Sequence, residues 1–301
     1  IHGEDAVIRI LDKETISEKF RTLTLDVVGF AEPDLKKFRR YIKEPYGMVL
    51  VTGPTGSGKT TTLYAALQEL NKPDKKIITA EDPVEYNFAG MNQCQVKEDI
   101  GLTFDKILRS MLRQAPNIIL VGEIRDNAVA NIAIQAALTG HLVFSTLHTN
   151  DACGAITRLI DMGVKPFLVA SSIQAIMAQR LIRVICKKCK VVDENPDPHH
   201  LRLLEIDPAE LKTRPVYKGA GCSVCHGTGY KGRLGIFEMI EMNSEIRELA
   251  FKRATTSELR HAAKATGMRT LMEDGKLKIF KGLTTPAEVS ETAQAESIAT
   301  E

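Results

Sequence analysis

The 301 residues carry 40 Lys and Arg against 38 Asp and Glu, a formal net charge of +2 with 26% of positions charged. That balance supplies no overall basic field and no acidic tail, so nucleic acid is not the default partner. Nothing at the start resembles a signal peptide, and no unbroken apolar run nears the ~18 residues that a membrane span needs, so a soluble, cytosolic protein of about two domains is expected.

Residues 6–12 are rich in β-branched side chains and read as one strand with Arg9 in it, the end of an earlier domain. The opening on Ile1 directly into such a strand reads as a fragment whose upstream part is missing. Gly29 and Pro33 mark a break, and residues 34–42 then have apolar side chains at helical spacing that stops before Pro45.

The apolar run Met48 to Val51 has strand length, and it leads into Gly53, Pro54, Thr55, Gly56, Ser57, Gly58, Lys59 and Thr60, a match to G-x-x-x-x-G-K-[ST] at every fixed position. Thr61 and Thr62 then open a helix over 59–70, so the flanks are the strand and helix that a phosphate-binding loop requires. Glycines let successive N–H groups turn inward toward phosphates, and the helix start adds partial positive charge. Lys59 would reach the β and γ phosphates, and the Thr60 hydroxyl would hold Mg²⁺. The competing reading, a glycine-rich turn that only joins strand to helix, leaves the lysine and the hydroxyl without a reason.

A second buried strand is expected at 76–80, ending on Glu81, Asp82 and Glu85, then a helix over 103–113 and a strand over 117–123 capped by Glu123. A helix over 126–138 and a strand over 141–146 continue the alternation, which implies an α/β fold with a largely parallel sheet. Acids at strand ends of such a sheet share one edge with a nucleotide. Hydrolysis needs one carboxylate for the Mg²⁺ and another to orient or deprotonate water. Glu123 is assigned to the metal and Glu85 to the water, with Glu81 and Asp82 as supporting acids; a charged turn after the strand is the plainer alternative for 81–85. His141 and His148 bracket the following strand, and composition does not decide between phosphate contact and ordinary hydrogen bonding. Arg9 could grip a phosphate or sit as an edge-strand arginine.

From 151 to 179 the apolar spacing reads as helical, with breaks at Gly163 and Pro166. Residues 191–220 are polar and lie between two C-x-x-C pairs, Cys186 with Cys189 and Cys222 with Cys225. Four thiolates in this form make a closed structural zinc site, with Gly221, Gly227 and Gly229 supplying the turns; two reduced dithiols are the alternative. Cys94 and Cys153 read as buried small apolar residues. Arg180, Arg183, Lys187, Lys188 and Lys190 could touch anionic lipid but read better as a solvated basic face beside that site. Helices are expected near 244–252, 256–266 and 269–281, with a last short one starting at Thr285 and Pro286.

Together, residues 53–64, 81–86 (Glu-Asp-Pro-Val-Glu-Tyr), 119–126 (Ile-Leu-Val-Gly-Glu-Ile-Arg-Asp) and 139–150 resemble the Walker A, Asp box, Walker B and His box of the secretion and type IV pilus assembly ATPases. The resemblance spans nearly the whole chain. It implies a RecA-like P-loop NTPase core over 31–182, a tetracysteine zinc subdomain over 183–236 and a C-terminal helical subdomain over 237–301, preceded over 1–30 by the end of a truncated PAS-like domain and its linker. It further implies Glu85 as the catalytic carboxylate, Glu123 as the Walker B acid, and nucleotide contact by His141, His148 and Arg9. ATP, Mg²⁺ and Zn²⁺ are the implied cofactors. A homo-hexamer at the inner-membrane platform of a secretion or pilus machine is the implied assembly, with docking proteins as partners and only indirect membrane contact. The cysteine pairs and residues 229–238 resemble the assembly and secretion branch. A nucleotide-gated scaffold with negligible turnover and a DNA-pumping conjugation motor are the alternatives.

Overall fold

The computed structural model describes residues 23–294; the expected strand over 6–12, with Arg9, lies outside them. The chain runs α1 (Leu25–Val28), α2 (Glu32–Tyr41), β1 (Gly47–Thr52), α3 (Lys59–Leu70), β2 (Ile77–Glu81), β3 (Met91–Gln95), α4 (Phe104–Met111), β4 (Ile118–Val121), α5 (Asn127–Leu138), β5 (Leu142–Leu147), α6 (Ala152–Asp161), α7 (Pro166–Ser172) and β6 (Ile173–Ile185). Then follow β7 (Lys190–Val192), α8 (Pro198–Leu203), β8 (Tyr217–Gly219), β9 (Tyr230–Glu241), α9 (Ser244–Phe251), α10 (Thr256–Ala265), α11 (Leu271–Phe280) and α12 (Pro286–Gln294).

The main sheet has seven strands in the order β3-β2-β4-β5-β1-β6-β9. All neighbours are parallel except β6 with β9. Strands β1, β2, β4 and β5 are buried along their whole length, as parallel strands covered on both faces must be. Alternate residues of β1 serve two cores. Met48 and Leu50 join a cluster that includes Ile134, Ile156 and Leu159, while Val49 and Val51 face Phe38, Leu63, Leu67 and Phe144. Truncating the fully buried Phe144 to Ala would cost about 3–5 kcal/mol.

The helical reading of 151–179 ends at Ser172, because Ile173–Ile185 is a strand. Its inner half lies between β1 and β9 and is almost continuously apolar, a pattern that periodicity alone cannot separate from a buried helix. Strand β9, in which Lys231, Gly232, Arg233, Gly235 and Glu238 break any period, also escapes the sequence pattern, and it crosses residue 236, so the cysteine unit and the core share a strand. Beyond Ala178, the partner of Thr52, β6 and β9 continue as an antiparallel ribbon to Ile185 and Tyr230. The cysteines sit past its tip.

The C-terminal helices begin where their caps require. Thr255 with Glu258 and Thr270 with Glu273 form reciprocal capping boxes, and the Asn243 side chain accepts from the Ile246 N–H at 2.9 Å. Asp274 and Lys278 of α11 form a buried ion pair, and Asp274 also accepts from the Phe237 N–H at 2.8 Å, which ties the last helices to β9. Among the described residues, no helix is long and apolar enough to cross a membrane.

Candidate functional site

The carboxyl ends of the parallel strands lie at one edge of the sheet. There β1 runs into the 53–58 turn, with β5 on one side and β6 on the other. Gly53, Gly56 and Gly58 have φ of 147°, 80° and 86°, backbone that side chains rarely adopt. At Gly53 a Cβ would also lie 2.5 Å from the Gln179 carbonyl and 2.7 Å from Ser57 Oγ, whereas at Gly56 it would meet nothing within 4 Å. The turn is thus packed against β6 on its inner side and open at Gly56.

Lys59, the first residue of α3, is 8% exposed and donates to the Gly53 carbonyl at 2.7 Å and the Pro54 carbonyl at 3.0 Å. Burial pushes its pKa down to about 8; Glu123 pulls the other way and the Arg180 charge adds to the fall. An incoming phosphate would therefore meet an ammonium short of negative partners. Ser57 Oγ is buried with no partner among the described residues, a polar atom aimed into the turn. Thr60 is exposed and Thr61 half-buried at the same helix start.

Glu123 follows β4, and its neighbours fix its backbone. The Gly122 N–H donates to Ala80 O at 2.8 Å, the Ile124 N–H to Thr146 O at 3.0 Å, and Thr146 Oγ1 to Gly122 O at 2.7 Å. One carboxylate oxygen contacts the Arg125 guanidinium and the other lies 3.4 Å from His148 Nε2. Arg125 in turn reaches Asp82 at 3.4 Å. The edge thereby brings Lys59, Glu123 and His148 together. An acid beside a phosphate-loop lysine and an exposed threonine is a donor set that fits Mg²⁺.

Other expected residues are placed elsewhere. His141 precedes β5, where its carbonyl accepts from Gly47, the first residue of β1. It therefore sits at the opposite edge of the sheet, about 20 Å from the loop by strand rise, with Nδ1 3.0 Å from Ala136 O. Nucleotide contact by His141 within its own chain is corrected by this pairing. Glu81 is 3% exposed and its carboxylate accepts from Tyr64, Thr79 and Gln93, so it braces α3 against β2 and does not reach water. That burial and that carboxylate drive the Tyr64 phenol pKa strongly upward. Glu85 borders a hollow of about 840 Å³ with Ala65, Gln68 and Glu69, and its backbone N–H faces the Tyr64 oxygen. Tyr64 is about 8 Å along α3 from Lys59.

The basic-face reading fails for Arg180, which is 6% exposed. Its guanidinium donates to the Gln179 carbonyl at 3.2 Å and the Asn150 carbonyl at 2.7 Å, linking the loop to the residues after His148. Gln179 accepts from Thr62 Oγ1 at 2.8 Å. Sequence reasoning passed over Gln179 and misplaced Arg180; the signal was a polar pair inside the largely apolar run Ile173 to Ile185. One more buried acid lies behind this edge. Glu238 of β9 accepts from the Ala152 N–H at 3.0 Å, and burial pushes its pKa up to about 7, with Asp151 adding to the rise.

The four cysteines beyond the ribbon have Sγ atoms within 4.8 Å of one another and form no disulfide. Sγ separations of 3.9 Å (Cys186 to Cys222), 3.8 Å (Cys189 to Cys225) and 3.7 Å (Cys222 to Cys225) match the ~3.8 Å edge of a tetrahedron with zinc–sulfur bonds of ~2.3 Å. Desolvation raises the Cys225 thiol, yet N–H groups of Cys222 and Gly229 outweigh it and hold its pKa at about 6. The donor set fits a structural zinc.

A family model described as "Type II/IV secretion system protein" matches residues 1–291. The chain belongs to that family. It is 49% identical over 289 residues to the type IV pilus assembly ATPase PilB of Myxococcus xanthus, covering 96% of this chain and 50% of that protein. To the type II secretion system protein E of Pseudomonas aeruginosa it is 45% identical over 295 residues, covering 98% and 57%. Among solved structures, the pilus retraction motor PilT with bound ADP aligns with a TM-score of 0.65 at 29% identity, over 89% of this chain and 66% of that one. The core is accordingly a RecA-like P-loop fold, and the chain spans about half the length of PilB and of protein E.

Proposed function

We propose that this chain is the motor portion of a hexameric ATPase that drives type II secretion or type IV pilus assembly from the cytoplasmic side of the inner membrane. The observation that carries the reading is the convergence of Lys59, Glu123 and His148 at one sheet edge, beside a loop whose glycines leave its outer face open.

The 53–58 N–H groups and Lys59 bind the phosphates of ATP. Thr60 and Glu123 hold magnesium, which when bound offsets the charge of the β and γ oxygens. His148 reports the γ position to β5. Glu85 orients the attacking water, which requires the 82–90 segment to swing from its place beside Tyr64 toward the loop as the site closes. Arg9 would add a guanidinium to the phosphates as the site closes. Domain closing and reopening then displaces a membrane platform and its docking partners. Zinc on Cys186, Cys189, Cys222 and Cys225 is a staple with no open coordination position.

The test is binding of ATP and release of phosphate by this chain and by a form extended upstream, each beside Lys59→Ala. Tight ATP binding that Lys59→Ala removes supports the reading. Binding indifferent to Lys59 contradicts it.

A further inference from the structure

We propose that Arg125 is a displaceable guard on the metal-binding carboxylate: it occupies Glu123 before metal arrives and moves to Asp82 when metal binds. The inference rests on the phosphate-loop reading above and deepens it. Its basis is a three-membered arrangement in which one guanidinium nitrogen, NH2, contacts a Glu123 oxygen and lies 3.4 Å from Asp82 Oδ2.

The two partners differ in freedom. Glu123 has a side chain 18% exposed on a backbone pinned between β2 and β5, whereas the Arg125 side chain is 53% exposed and lies outside any helix or strand. When a competing cation arrives, the arginine is the partner that can leave. Its charge is permanent, so deprotonation is no escape. A divalent cation on the same oxygen would repel it at contact distance. Asp82 offers a second carboxylate without a large swing, and its side chain is 36% exposed. His148, on the other Glu123 oxygen, need not move for this exchange.

The guard and a purely structural role predict opposite signs. If Arg125 merely orients Glu123, its removal weakens metal binding; if it competes for Glu123, its removal strengthens it. The experiment measures Mn²⁺ affinity by the free Mn²⁺ paramagnetic signal at saturating ADP, with metal-free ADP affinity measured alongside, for the full chain and for Arg125→Gln, Arg125→Lys, Asp82→Asn and the double variant Arg125→Gln with Asp82→Asn. Expected are Mn²⁺ binding tightened about fivefold or more in Arg125→Gln, less in Arg125→Lys, weakened in Asp82→Asn, and no further Asp82 effect once Arg125 is gone. Metal-free ADP affinity stays as in the parent. Mn²⁺ affinity unchanged or weakened in Arg125→Gln overturns the guard while leaving the nucleotide site intact. A chain that binds no ADP at all overturns both. If Arg125→Gln unfolds, Arg125→Lys keeps the sign of the test.

Discussion

The turn after β1 and the turns that carry the cysteines are both shaped by glycines, yet they are held by opposite means. Around the first, protein packs beneath and at the helix end: Gln179 and Arg180 of β6 lie under it, Thr62 ties the helix to Gln179, and Lys59 fills its curve, while Pro54 to Gly56 stay exposed. Around the second the turns themselves lie near the surface, although Leu201, Leu204, Ile206 and Val216 between the two pairs are buried. Val224 is 40% exposed, the local strands β7 and β8 have three residues each, and four sulfur atoms occupy the centre. A site that must take and release a ligand is built rigid by its own packing, while a site that keeps its ligand can let the ligand supply the rigidity.

The sharpest way to break that comparison is to remove one sulfur. Cys222→Ser, or chelation of the parent, should release about one zinc per chain and unfold the segment at its cysteine turns, 186–190 and 221–229, because structural zinc contributes on the order of 10 kcal/mol to such units; metal analysis with hydrogen exchange would show it. Protection of β1 and α3 should survive. A metal-free chain that keeps the segment folded would mean that the packing holds both turns.

Next in size is the buried acid behind the loop edge. The folded pKa of Glu238, about 7, lies above its ordinary 4.5, so between those values the folded state keeps a proton that the unfolded state releases. Its contribution is fully present below pH 4.5 and is lost as pH rises through 7. Denaturant unfolding should therefore show stability falling across that window by up to about 3 kcal/mol, and Glu238→Gln should flatten it.

Lys59→Ala should cost about 1.5–3 kcal/mol of ADP binding, the worth of one charged hydrogen bond, or about tenfold to a hundredfold in Kd by calorimetry, with zinc content unchanged. Smallest is Thr62→Val, which leaves Gln179 Oε1 without its 2.8 Å donor. A loss of about 1–3 kcal/mol of stability is expected in thermal or denaturant melts, again with the zinc retained.

The loop was legible because its chemistry is local: the glycines, Lys59 and Thr60 are consecutive, and β1 and α3 flank them where the pattern places them. The cysteine cluster was legible because two short pairs carry their own geometry. What spacing could not give is pairing. His141 and His148 lie seven positions apart in sequence, and only the register of β5 with β1 sends them to opposite edges. Glu81 and Glu85 share one acidic turn, yet Tyr64 takes up the first carboxylate and Glu85 borders the hollow beside α3. Arg180 was hidden because its burial depends on β6 being a central strand, and a central strand reads as an apolar run with no period.

The most direct test of the central claim, that this sheet edge hydrolyses ATP, is phosphate release from Mg²⁺-ATP by the upstream-extended form beside its Glu85→Gln variant at equal ATP occupancy. The parent should turn over, and the variant should bind ATP while losing at least about a hundredfold in rate. Equal rates in the two would contradict the role of Glu85, and binding without turnover in both would mark the chain as a nucleotide-gated scaffold.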